Sequence, residues 1–213
     1  MNDQSEAKPG GAGPTGGFLK WALWGAALIG VAAVVYIMAQ ASTKPAPVTA
    51  ANRTAPDAHS VANLLTHPAD GAPPPDYAFK DAAGKTLKIA DHKGQVVVVN
   101  LWATWCAPCK VEMPKLAKLQ AAYAGKPVTV MAVSIDKPDA LDAAKAFIAQ
   151  QAPLAFYNDP EAKLPWALKP GAAGMPTTVV YGRDGLERGR VSGEADWDGA
   201  AAHALIDKAL AEG

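Results

Sequence analysis

VVVVNLWATWCAPCKVEMPKL, residues Val96 to Leu116, holds Cys106 and Cys109, the only two cysteines among 213 residues. The apolar run 96–101 suits a strand buried on both faces. Beyond it, Val111, Met113, Leu116, Leu119 and Tyr123 fall near helical spacing, and Gly125 stops the predicted helix. Pro114 inside it removes one hydrogen bond and clashes with the preceding turn, so a kink is expected. The cysteines therefore sit where a buried strand turns into a helix.

Four chemistries compete for such a pair. A zinc site needs about four ligands, and His59, His67, His92 and His203 are scattered without ligand spacing. Covalent haem attachment needs a His directly after the second Cys, where Lys110 stands. A structural crosslink would close a very small loop and remove little entropy from the unfolded chain. A redox-active dithiol fits best.

Position assigns the roles. Cys106 is placed at the helix N-terminus, where unpaired N–H groups and the macrodipole favour a thiolate. Lys110 adds a positive charge one turn on. Cys109, inside the first turn, is expected to be the more buried, so Cys106 attacks and Cys109 resolves. Lowering a thiol pKa from about 8.5 to about 7 raises the thiolate fraction at pH 7 from roughly 3% to roughly 50%. Each thiolate becomes about fivefold less nucleophilic, so attack gains only about threefold. The larger gain is in Cys106 as a leaving group. Pro108 cannot donate a hydrogen bond to the Cys106 sulfur and suits a first helical turn.

Outward from this centre, more strands and helices are predicted. Residues 77–79 and 86–89 flank Asp81-Ala82-Ala83-Gly84, a hairpin turn. Residues 128–135 form a second buried strand. Helices are predicted at 140–150, with Asp139 as its N-cap, at 160–168 and at 198–211. Residues 177–181 and 187–191 flank Arg183-Asp184-Gly185, a second hairpin. Strand, helix, strand, helix, hairpin and helix make an α/β sandwich around a mixed sheet.

The N-terminal third differs. FLKWALWGAALIGVAAVVYIMA, from Phe18, carries one charge, Lys20, and is long enough as a helix to span the roughly 30 Å core of a bilayer. Trp21, Trp24 and Tyr36 lie near its ends, as interfacial aromatics do. Ala39-Gln40-Ala41 offers a signal-peptidase site, but the run exceeds the usual cleavable core of about 7 to 15 residues. The expected organisation is a disordered tail (1–17), a retained membrane anchor (18–40), a Pro/Ala-rich linker (41–75) interrupted by an amphipathic turn near 61–65, and one folded domain (76–213). Twenty basic and twenty acidic residues balance. No basic excess points to nucleic acid.

Trp102-Ala103-Thr104-Trp105-Cys106-Ala107-Pro108-Cys109-Lys110, then Glu112-Met113-Pro114 and, downstream, Gly174-Met175-Pro176-Thr177-Thr178, resemble the thioredoxin superfamily. The likeness covers about residues 76–213 and is strongest to the membrane-anchored bacterial TlpA, ResA and CcmG group, TlpA above all. It implies a thioredoxin fold, a mixed β-sheet flanked by helices on both faces, with an added helix and strand at 138–156 and one transmembrane helix ahead of it. It also implies a cis peptide between Met175 and Pro176, which lets Met175 present its backbone to a substrate strand. Trp105, Pro108, Met175 and Pro176 then form the substrate-binding rim around Cys106 and Cys109. Cytosolic thioredoxins place a buried Asp six residues before the first Cys; here that residue is Asn100, which takes no proton. Glu112 matches a Glu of the ResA-like proteins and is expected either as a general base for Cys109 or as a solvated surface residue. Trp166, Trp197 and Tyr157 are read as packing residues.

The resemblance implies a protein-disulfide reductase on the periplasmic or outer side of the cytoplasmic membrane. Its partners would be disulfide-bearing proteins of cytochrome c or cytochrome oxidase assembly, apocytochrome c or copper-site assembly proteins among them. A membrane electron donor of the DsbD or CcdA type would re-reduce the pair. No metal or organic cofactor is expected beyond the Cys106–Cys109 disulfide itself. A disulfide-forming oxidase and a Sco-like copper chaperone are the alternatives. The latter carries CxxxC with a distant His, unlike this CxxC.

Overall fold

The structure, a computed structural model, describes residues 58–67 and 71–212. The expected tail (1–17), membrane span (18–40) and much of the expected linker lie outside the described residues. Among the described residues, no helix is long and apolar enough to cross a membrane.

In chain order the elements are α1 (Val61–Leu64), β1 (Leu65–Thr66), β2 (Ala78–Asp81), β3 (Thr86–Lys88), β4 (Val96–Trp102), α2 (Ala107–Ala122), β5 (Val128–Ser134), α3 (Leu141–Ala149), β6 (Ala155–Asn158), α4 (Leu164–Ala167), β7 (Thr177–Tyr181), β8 (Glu187–Ser192) and α5 (Ala200–Ala211). The strands form one sheet in the order β1-β8-β7-β4-β5-β6-β2-β3. β4 runs parallel to β5, with α2 as the crossover, and antiparallel to β7. The sheet is therefore mixed, and β4 lies inside it with all seven residues buried.

Alternation along β4 divides the core. Val96, Val98 and Trp102 face one side, where α2, α3 and α5 pack. Val97, Val99 and Leu101 face the other, against Ile89 of a 3-10 turn and Leu164 and Leu168 around the one-turn α4. Helices flank both faces, but unequally. The polar Asn100 lies on the α2 side of a strand otherwise built from apolar residues, so it must find partners there.

Several boundaries move. The folded domain does not begin at Asp76. α1 and β1 belong to it, with Leu65 paired to Val191 and Thr66 to Arg190 on the edge of β8. Val61 is buried in the same core as α5, and Ala72 accepts a hydrogen bond from Glu187 N. A one-turn helix and a two-residue strand carry too few residues to show a period, so Pro and Ala dominate the sequence signal there. Asp139 is not a helix cap: it lies in a 3-10 turn, and the N-cap of α3 is Ala140. The helix expected at 160–168 shrinks to α4, because the Asp159 carboxylate takes the Leu164 N–H that such a helix would give to Pro160, and Ala162 has a positive φ of 51°. α2 continues through Pro114. The added helix and strand at 138–156 are α3 and β6.

The contact between β1 and β8 can be tested. A Cβ at Gly189 would meet Leu65 Cδ1 at 2.6 Å. Gly189→Ala should cost about 1 kcal/mol in urea unfolding, since the end of a flexible side chain can rotate aside. In a Leu65→Ala background the same substitution should cost markedly less. Equal costs in both backgrounds would mean that residues 61–66 do not pack on β8.

Candidate active site

β4 ends at Trp102, and Cys106 is the N-cap of α2. Cys106 and Cys109 are joined by a disulfide, with Cα atoms 5.4 Å apart. The Cys109 N–H points at Cys106 Sγ from 3.3 Å, one of the unpaired donors of the helix start. The expected asymmetry is present: Cys106 is 5% exposed and Cys109 fully buried. Ala107, Pro108 and Lys110 are exposed around them.

The turn that presents the cysteines is clamped from the next strand. Asp136, just past β5 and buried, accepts from Thr104 N at 2.9 Å and from Thr104 Oγ1 at 2.8 Å. Ser134 Oγ donates to the same carboxylate at 2.8 Å. Cys106 N then donates to Ala103 O, closing the turn. Trp102 is buried against Phe147 of α3, with ring centroids 5.3 Å apart. Trp105, by contrast, is 68% exposed. The two tryptophans thus differ in role, one anchoring the turn and one standing in solvent beside the dithiol.

Met175 is half-buried and Pro176 buried, with a cis peptide between them. They lead into β7, where Thr177 pairs with Leu101. The register therefore brings Pro176 to the end of β4 from which the dithiol turn departs. Pro176 O is occupied by Gly193 N–H at 2.8 Å.

Glu112 is no solvated surface residue. It is fully buried on the face of α2 turned towards β4. Its Oε1 accepts from Asn100 Nδ2 at 2.7 Å. Its Oε2 accepts from Ala195 N at 3.0 Å and Trp197 Nε1 at 3.2 Å. Asn100 Nδ2 also donates to Thr178 Oγ1 at 2.9 Å, across the β4–β7 pair in which these residues are register partners. Asn100 Oδ1 is buried with no hydrogen-bond partner among the described residues. Burial pushes the Glu112 carboxyl up to about 7, and the charge of Glu194 adds to the rise. The three hydrogen bonds oppose it without prevailing.

Trp197, read as a packing residue, is a donor to Glu112, and Thr178, Ala195 and Asp136 also support the site. Their signals were weak, since each lies far from the cysteines in sequence. Trp166 is 77% exposed, and Tyr157 stacks edge-on against Phe79. Among the described residues, no three His, Cys, Asp or Glu side chains gather where they could hold a metal ion.

Comparison with known proteins agrees with this geometry. The profile of the AhpC/TSA family matches residues 71–186. The thiol-disulfide oxidoreductase ResA of Bacillus thuringiensis subsp. konkukian is 32% identical over 127 residues, which cover 58% of this chain and 70% of that protein. The thioredoxin-like protein YneN of Bacillus subtilis is 45% identical over 65 residues, 30% of this chain and 38% of that protein. Among solved structures, a thiol:disulfide interchange protein assigned as DsbE from Chlorobium tepidum is 33% identical, with a TM-score of 0.58 over 66% of this chain and 96% of its own. The chain belongs to the AhpC/TSA family, and within it to the thioredoxin-fold thiol-disulfide oxidoreductases.

Proposed function

We propose that this oxidoreductase is a reductant of the TlpA, ResA and CcmG kind, held at the cytoplasmic membrane by residues 18–40 with its domain on the periplasmic or outer side. The carrying observation is the arrangement of Cys106 at the N-cap of α2, Cys109 fully buried behind it and a buried carboxyl one turn further on. Its substrates are disulfides of proteins in cytochrome c or cytochrome oxidase maturation. The ResA and DsbE names of its relatives support that reading. A membrane dithiol donor of the DsbD or CcdA type returns the electrons.

The cycle follows from the burial. The Cys106 thiolate attacks one sulfur of a partner disulfide and releases the other as a thiolate, forming a mixed disulfide. Exposed Trp105, Pro108 and the Met175-Pro176 turn receive the partner chain. Cys109 then loses its proton and attacks Cys106 Sγ, the partner leaves as a dithiol, and the Cys106–Cys109 disulfide forms. The Cys109 thiol is out of water, so its deprotonation needs a group inside the protein. Glu112 is that base. With its carboxyl poised near neutrality, it can take a proton at physiological pH and give it up again.

Three outcomes follow. The full chain, recovered from carbonate-washed membranes and equilibrated with glutathione, should show a potential nearer roughly −270 mV than roughly −120 mV. The second value would make it an oxidase, and a shortened soluble form would remove the anchor.

Glu112→Gln should slow release of the mixed disulfide at pH 7 by roughly 10- to 30-fold. The scale is that of an ordinary thiol, of which roughly 3% is ionised there. The deficit should shrink as the pH rises, because hydroxide can then take the proton in place of Glu112. Stopped-flow tryptophan fluorescence reads the step; a deficit equal at every pH would make Glu112 structural only.

Stability gives a third outcome. Below pH 4.5 Glu112 is protonated folded and unfolded, and it contributes no slope. Between 4.5 and about 7 only the folded chain keeps the proton, so each rise in pH favours unfolding. Urea unfolding of the oxidised protein should lose about 3 kcal/mol across that window. In Glu112→Gln this loss should disappear.

A further inference from the structure

Among the partners of Glu112, Asn100 differs from the others in what it can offer. Ala195 N–H and Trp197 Nε1–H, both on Oε2, are donors only. A proton bound at Oε2 would point at hydrogens and find no acceptor. It therefore binds Oε1, and the one partner there that can hold it is the Asn100 amide at 2.7 Å. As it stands, the atom at that place is Nδ2, which donates and cannot accept.

A half-turn of the amide about its last bond removes the conflict. It exchanges Nδ2 and Oδ1, which are nearly alike in size. Oδ1 then accepts the new O–H of Glu112. Thr178 Oγ1, which accepts from Nδ2 at 2.9 Å, turns its own hydrogen and donates to the same Oδ1. Two hydrogen bonds exist around the amide before the turn and two after it. At the far end nothing is broken, because Oδ1 has no hydrogen-bond partner among the described residues. An unpartnered carbonyl oxygen is exchanged for an unpartnered NH2 group with its two hydrogens. Had a backbone N–H held Oδ1, the turn would lose a buried bond.

We propose that Asn100 is a positioning residue for Glu112, its side-chain amide turning over with the carboxyl proton so that Oε1 is hydrogen-bonded in both the acid and the ionised form. In the ionised form Nδ2 holds the carboxylate. In the acid form a proton, drawn from solvent or from a thiol, makes the O–H bond at Oε1 and is held by Oδ1. The charged groups around Glu112 leave this amide as the responsive partner. Glu194 opposes ionisation from the segment before Trp197. Lys115 of α2 and Asp196 pair with each other at 3.5 Å. β4 brings no charged side chain and β7 brings Thr178 to the site. The shift of Glu112 to about 7 puts the turnover near neutral pH.

The use of this turnover in catalysis rests on the acid–base role proposed for Glu112, but its test reads the proton and not the disulfide chemistry. The full chain, oxidised and in detergent micelles, would be labelled with 15N at Asn and 13C at Glu, with the Asn100 amide assigned through Asn100→Ser. Above the midpoint of the Glu112 13Cδ titration, the Asn100 Nδ2 protons should show a nuclear Overhauser effect to Thr178. Below the midpoint that effect should be lost, and the amide shifts should move with the same midpoint. In Glu112→Gln, the Asn100 amide should not titrate. An effect to Thr178 that persists while Glu112 titrates would overturn the proposal, as would an Asn100 titration that survives in Glu112→Gln.

Discussion

Glu112 leaves α2 towards β4 without reaching water, and the rest of the site is arranged by what that carboxyl requires. Burying an ionised carboxylate without partners costs several kcal/mol. Three donors offset this, and they come from distant parts of the chain: Asn100 on β4, and Ala195 and Trp197 between β8 and α5. One side chain thus joins helix, sheet and the connection that follows β8. Outside it, the pairs Lys115–Asp196 and Lys118–Asp198 join the same helix to the same connection. Those surface pairs are worth little each. The buried carboxyl fixes the register in which they meet.

The dithiol stands at the exposed end of this assembly, and each of its parts is held by an element that cannot easily move. The turn before Cys106 is tied to β5 through Asp136 and Thr104. Met175 and Pro176 lead into a strand paired with β4. Such support matters because a displaced nucleophile loses rate steeply. The two sulfurs face different difficulties. Cys106 has the helix N-terminus, which gains little in attack and more in departure. Cys109 has no such help and no water. One helical turn beyond it stands the buried carboxyl of Glu112.

The parts of this design that were legible in the sequence are those written in periods and short motifs. The run before Trp102 suited a buried strand, and a CxxC at the following helix start set the expected polarity of the two thiols. The hairpin around Asp184-Gly185 followed from its turn residues. What escaped was written in contacts between remote residues. Nothing near Trp197 in the chain says that its indole N–H meets a carboxylate 85 residues earlier. Glu112 itself has an ordinary helical neighbourhood, and its burial depends on how β4 and the segment after β8 close over α2. Asp159 shows the opposite failure: its carboxylate captured the Leu164 amide that a helix at 160–168 would have used.

The residue at position 100 shows how tightly the buried carboxyl and the strand are coupled. An Asp there would set a second carboxylate about 2.7 Å from Glu112 Oε1, where the present amide nitrogen lies. Two carboxyls so close cannot both ionise; they share one proton and titrate as a pair. A thiol-disulfide site of this fold can therefore place its buried acid on the strand or on the helix, but not independently on both. With the acid on the helix, the strand residue must be neutral. It must also donate to a carboxylate and accept from a carboxylic acid, which excludes every apolar side chain. Asn meets all three conditions in the space of an Asp.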